Sequence, residues 1–149
     1  MTFKNENELK AFFMQKCKEA IAQTQNKVYA IIKKALVAFY GDYDPVLYQR
    51  TYQLLHSLVK SEIRQVRNGY RADVYFDLSS IDYVTGNMPT GHQVMKAAEY
   101  GMHGAVGRDL QYVSGNSGVD AWNTPIQKID AQAIDMIVKE LKAQGISVR

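Results

Sequence analysis

Between Glu8 and Tyr40 the apolar positions fall at Leu9, Phe12, Phe13, Cys17, Ala20, Ile21, Val28, Ile31, Ile32, Ala35, Leu36 and Phe39. That three-and-four spacing, with no Gly or Pro inside, predicts one long amphipathic helix over residues 8–40. At 1.5 Å per residue it is ~48 Å long, more than the width of a domain of this size, so part of its stripe reaches beyond its own fold. Gly41 supplies the stop.

The pattern then changes period. In "VKSEIRQVRNGYRADVYFDL" (residues 59–78) the pair Asn68-Gly69 suits a two-residue type I′ turn, whose central positions both need positive φ. A hairpin turning there sets Arg67 opposite Tyr70. It pairs Gln65 with Ala72, Ile63 with Val74, Ser61 with Phe76 and Val59 with Leu78 on one face, and Arg64 with Asp73 and Lys60 with Asp77 on the other. Apolar pairs and opposite charges are thereby sorted to different sides.

Further on, Thr90 and Gln93 have the spacing of a capping box, and Val94, Met95, Ala97 and Ala98 continue a short helix toward Gly101. Residues 104–121 are polar and glycine-rich and read as a flexible loop. Thr124-Pro125 with Gln127 opens a second strong helix over residues 125–144. Its apolar face is Ile126, Ile129, Ala133, Ile134, Ile137, Val138 and Leu141, and Gly145 ends it. The last residues, "ISVR", suit a short strand. Long helix, hairpin (about 59–79), a mixed segment and a final helix make a single α+β domain over residues 1–149, with both helices packed on a small antiparallel sheet.

Composition narrows the function. The chain has 149 residues, 46% of them hydrophobic, and a net charge of +3 from eighteen basic and fifteen acidic side chains without a long block of either sign. It suits a folded protein with only a weak case for binding nucleic acid, and sequence-specific binding is not expected. The basic, tyrosine-bearing stretch Arg64, Arg67, Tyr70 and Arg71 is the one nucleic-acid candidate, with acids close by. The single cysteine, Cys17, rules out an intramolecular disulfide and lies on the apolar face of the first helix, where a small buried thiol is the ordinary reading. His56, His92 and His103 have no i, i+4 spacing and form no zinc motif. "GMHGAVG" (101–107) lacks the Lys-Ser/Thr ending of a phosphate loop, and Asp73 and Asp77 have cationic partners in the register above. The expectation is no catalytic residue, no metal, no cofactor and no membrane span. The chain is expected in a reducing cytoplasm, or in a particle assembled there.

One stretch carries more than local structure. "YDPVLYQRTYQLL" (43–55) contains Tyr43, Pro45, Tyr48, Arg50, Thr51 and Leu54 in the order Tyr-x-Pro-x-x-Tyr-x-Arg-Thr-x-x-Leu. This resembles a signature of tailed-bacteriophage minor structural proteins of the head–tail joining, or tail-completion, family. The order long helix, motif, β structure, C-terminal helix is also similar. "AAEYGMHG" (97–104) resembles that family's Glu-aromatic-Gly segment, which would make part of residues 92–103 strand instead of helix; both assignments stay open here. Asp44-Pro45 opens either a short helical turn or an extended connector.

The resemblance implies a non-catalytic virion protein, present in host cytoplasm before assembly. It would form a homo-oligomeric ring at the head–tail junction and contact itself and neighbouring neck, portal-adaptor or tail proteins. The expected interface or connector residues are Tyr43, Pro45, Tyr48, Arg50, Thr51 and Leu54, with Trp122 added, since Tyr, Trp and Arg are enriched where proteins meet. The bland alternative, equally open for each residue, is packing within the same chain. The rival functions are a small nucleic-acid-binding protein using the 64–71 tip, and an accessory subunit of an enzyme.

Overall fold

The computed structural model describes residues 2–41, 52–81, 90–99, 102–104, 113–116 and 123–148; for 102–104 and 113–116 the description is of the backbone only. The spine is α1 (Glu6–Gly41), 36 residues and therefore about 54 Å long. It starts two residues earlier than the apolar pattern predicts. The Asn5 side-chain oxygen accepts from the Glu8 backbone N–H at 2.9 Å, and the Glu8 carboxylate accepts from the Lys4 N–H at 2.7 Å. Two N–H groups at the helix start are satisfied by these side chains.

The C-terminal half of α1 is the floor of the core. Ile32, Leu36 and Phe39 pack with Leu54 of α2 (Gln53–His56), Leu58 of β1 (Leu58–Lys60), Ile81, and Ala98 of α3 (Gly91–Glu99). Val74 and Phe76 of β4 (Val74–Phe76) close over them. The reciprocal capping box forms as expected: Thr90 N–H donates to Gln93 Oε1 at 2.8 Å, and Gln93 N–H donates to Thr90 Oγ1 at 3.4 Å. Gly91 opens α3 directly against the 3₁₀ turn at Leu78–Ser80, where an added Cβ would lie 2.5 Å from the Leu78 carbonyl oxygen. The residues at 92–103 resolve into both readings in succession, helix through Glu99 and then strand β5 (Met102–Gly104).

The hairpin is present, with a different register. β2 (Arg64–Val66) pairs with β3 (Gly69–Arg71) as Arg64–Arg71, Gln65–Tyr70 and Val66–Gly69, so the two turn residues are Arg67 and Asn68. Neither has positive φ, which excludes the type I′ geometry; Gly69 opens the return strand at φ 157°. At the base, β1 pairs with β4 as Leu58–Phe76, Val59–Tyr75 and Lys60–Val74. The reason is burial. The predicted register puts Leu58 on the outer face, whereas the observed one sets Leu58 opposite Phe76 with both turned to α1.

Between the two ladders three residues (Ser61, Glu62, Ile63) oppose two (Ala72, Asp73), one extra in the manner of a β-bulge. Ser61 N–H donates to the Asp73 carbonyl at 2.9 Å, and Asp73 N–H donates to Ser61 Oγ at 2.8 Å. The buried Gln25 amide of α1 donates to both the Ser61 and the Asp73 carbonyls, each at 2.9 Å. The Lys60–Asp77 pair does not form. Lys60 Nζ donates instead to Asn26 Oδ1 at 2.8 Å and sits 5.3 Å from the Tyr29 ring centroid, while the Asp77 carboxylate accepts from Ser79.

α4 (Asn123–Ala143) runs antiparallel along α1. Ile129 packs on the core, Lys27 pairs with Glu140, and the Gln144 amide, oriented to satisfy its neighbours, donates to the Lys16 carbonyl and to Glu19. Its end is a Schellman motif: Ile146 N–H donates to the Leu141 carbonyl (3.0 Å) and Gly145 N–H to that of Lys142 (2.9 Å), with Gly145 at φ 81°. Two expected core residues stay out, Ile126 at 42% exposed and Ile134 at 77%, because α1 covers a stripe narrower than the apolar face of α4. "ISVR" forms no strand over 146–148, and β6 (Val113–Asn116), which pairs antiparallel with β5, falls inside the stretch expected to be loop.

Adjacent buried polar residues on α1 make opposite predictions. Thr24 Oγ1 is buried and has no hydrogen-bond partner among the described residues, whereas Gln25 serves two carbonyls. Thr24→Val is expected to leave stability unchanged or raise it by up to about 1 kcal/mol, and Gln25→Leu to lower it by about 1–3 kcal/mol. Urea midpoints of the two variants at equal m-value provide the check.

Candidate interaction surface

Of the residues expected to meet partners, Tyr43, Pro45, Tyr48, Arg50, Thr51 and Trp122 lie outside the described residues. Leu54 is described and is 1% exposed, inside the core cluster. It packs within the chain's own core. Ser57, fully buried beside it, donates from Oγ to the Leu54 carbonyl at 2.8 Å, and its own carbonyl accepts from Asp77 N–H at 2.7 Å. These bonds tie α2 to the 3₁₀ turn.

Tyr52, just before α2, was not legible as special. It takes the left-handed conformation (φ 54°, ψ 17°), and its ring lies 5.0 Å from that of Tyr40. A left-handed non-glycine residue costs about 1–2 kcal/mol, and an aromatic pair returns about 0.5–1.5 kcal/mol, so the ring contact offsets most of the strain. The two tyrosines thus hold the end of α1 close to the start of α2 by an intramolecular contact.

Exposed chemistry gathers in two places. At the hairpin tip, Arg71 Nε is 3.0 Å from Asp73 Oδ1 and Arg64 is 3.7 Å from Asp73 Oδ2, both arginine side chains more than two-thirds exposed. The Arg64–Asp73 ion pair expected from sequence is therefore present, reached through a different register and shared with Arg71. One carboxylate serves two guanidinium groups, and Arg67 in the turn has no ion-pair partner among the described residues.

The second place is the N-terminal third of α1. Phe13 is 43% exposed, and Leu9, Phe12, Met14 and Cys17 are half-buried, so the thiol is less enclosed than the apolar pattern suggests. Phe12 contacts Phe3 at 5.3 Å and Phe13 at 5.7 Å between ring centroids. The Glu19 carboxyl, accepting from Gln15 and from Lys16, is held below its ordinary pKa by those bonds.

His56 and His92 are exposed, and among the described residues no group of three or more His, Cys, Asp or Glu side chains gathers to hold a metal. No described helix is long and apolar enough to cross a membrane.

Truncation separates core from surface here. Leu54→Ala should cost about 2–5 kcal/mol of unfolding free energy, and Phe13→Ala less than about 1 kcal/mol. Thermal or denaturant unfolding of both variants reads the difference.

No curated protein and no solved structure shows significant similarity to this sequence. A family model, YomN, matches residues 5–147, from the cap of α1 to the turn that ends α4. With nearly all of its length inside that match, the chain belongs to the YomN family.

Proposed function

We propose that this protein is a structural assembly component of a tailed-phage virion, a homo-oligomer at the head–tail junction with no catalytic role. The observation that carries the reading is a spine that outruns its own fold. α1 is 36 residues long, and its N-terminal turns leave Phe13 43% exposed beside a half-buried Phe12. Exposed apolar side chains recur at Val37, Tyr75, Ile126 and Ile134, on three different elements. Singly scattered residues of that kind are ordinary, so the weight falls on the aromatic cluster at the start of α1, and contacts between unlike patches close into rings when the rotation allows. The motif at 43–55 supports the same reading through its resemblance to head–tail joining proteins. Quantitative mass spectrometry of gradient-purified virions should find the chain at a fixed ratio of one or one half per portal subunit, and its absence from the particle would end this proposal.

A second reading has one observation in its favour, the arginine-rich hairpin tip with a single shared carboxylate. If it binds nucleic acid through phosphates, affinity for DNA falls steeply with salt and drops further in Arg64→Ala and Arg67→Ala. Undetectable DNA binding at low salt removes it.

A further inference from the structure

We propose that the N-terminal third of α1 is a self-association site, at which two copies of this chain pair antiparallel about a twofold axis beside Phe12. The contact does not depend on the head–tail reading and is a property of the free protein. Glu8, Phe12 and Lys16 stand at i, i+4 and i+8, one continuous ridge along the helix. Glu8 is exposed, Phe12 is half-buried, and Lys16 Nζ lies 5.9 Å from the Phe12 ring centroid, so acid, aromatic ring and base are contiguous on the surface. Phe13 widens the apolar centre at 43% exposed. Every hydrogen bond, ion pair and ring contact of residues 3–14 among the described residues is local, to one another or to Lys16.

The order of charge chooses the occupant and its direction. An antiparallel copy sets Glu8 beside the other copy's Lys16 and Lys16 beside the other copy's Glu8, with the two Phe12 rings meeting at the axis. Beyond Lys16 on this face stands Glu19, which pairs with the same ammonium within the chain at 3.0 Å, so in the dimer Lys16 is shared between Glu19 and the other copy's Glu8. A parallel copy sets like charges side by side, which is unfavourable. The surface is therefore complementary to itself, as an isologous contact requires. Three helical turns bury less than the roughly 1,200 Å² of a stable interface, so the dimer is weak and concentration-dependent.

Sedimentation equilibrium of the full chain up to about 1 mM reads this directly, the range in which weak contacts of this size associate. The wild type is expected to dimerise. Glu8→Lys and Lys16→Glu should each weaken the dimer at least about tenfold, and the double variant E8K/K16E should recover most of the loss, because the ridge is self-complementary again. Glu8→Gln, which removes the charge with little change of shape, should fall between wild type and Glu8→Lys, and circular dichroism checks that each variant keeps its helix. A wild type that stays monomeric throughout, an E8K protein that dimerises like wild type, or a double variant as weak as either single one overturns the proposal. Loss of the virion ratio with this pattern intact would sink the head–tail reading alone.

Discussion

The side-chain amide of Gln25 fastens the β-ribbon to the spine. It reaches from the middle of α1 to the Ser61 and Asp73 carbonyls, the one place where the ribbon's two ladders slip by a residue. At this irregularity the Asp73 carbonyl still accepts from Ser61 N–H, but the Ser61 carbonyl has Gln25 as its partner among the described residues, and a buried carbonyl without a partner costs about 1–3 kcal/mol. Gln25 serves both with one donor group, and Ser61 completes the junction by bonding Asp73 through its side chain as well as its backbone. The base of the ribbon can then present Leu58, Val74 and Phe76 to α1, while the tip keeps its own register and its exposed arginines.

With the ribbon fixed and α4 held antiparallel by Ile129, Lys27–Glu140 and Gln144, the middle and C-terminal parts of α1 are occupied. Gln144 reaches Lys16, Glu19 and Ala20, and the described partners of α1 thin out beyond that point. What is left is a helical extension whose ring contacts, Phe3–Phe12, Phe12–Phe13 and Lys16 over Phe12, are local among the described residues. The fold thus divides α1 into a packed portion and an offered portion. The proposed self-association through this extension would need no rearrangement of the core.

The long helices were legible because their spacing runs for many turns, and the Thr90–Gln93 cap because its chemistry is local. The hairpin was legible as a hairpin and illegible in register. Asn68-Gly69 is a strong turn pair, yet burial of Leu58 opposite Phe76 and the bond from Gln25, 36 residues before Ser61, outweighed it. Neither term exists within a local window. Ile134 was misread for a related reason: periodicity gives the apolar face of α4 but not the width that one neighbouring helix can cover. β6 was missed because "VSGN" lacks the apolar alternation of a strand and is paired by β5 through the backbone. Leu54, left open between a contact with a partner and packing within the chain, is buried in the core of the same chain, since a leucine in a motif looks the same in either setting.

The division of α1 into packed and offered portions is tested most directly by amide hydrogen exchange on dilute protein, read by peptides from residues 6–14, 20–36 and 58–76. Residues 20–36 and 58–76 are expected to be protected together, through the Gln25 junction and the core, while 6–14 exchanges much faster. Protection of 6–14 equal to that of 20–36 in dilute monomer would contradict that division, because those turns would then already be packed and have nothing left to offer.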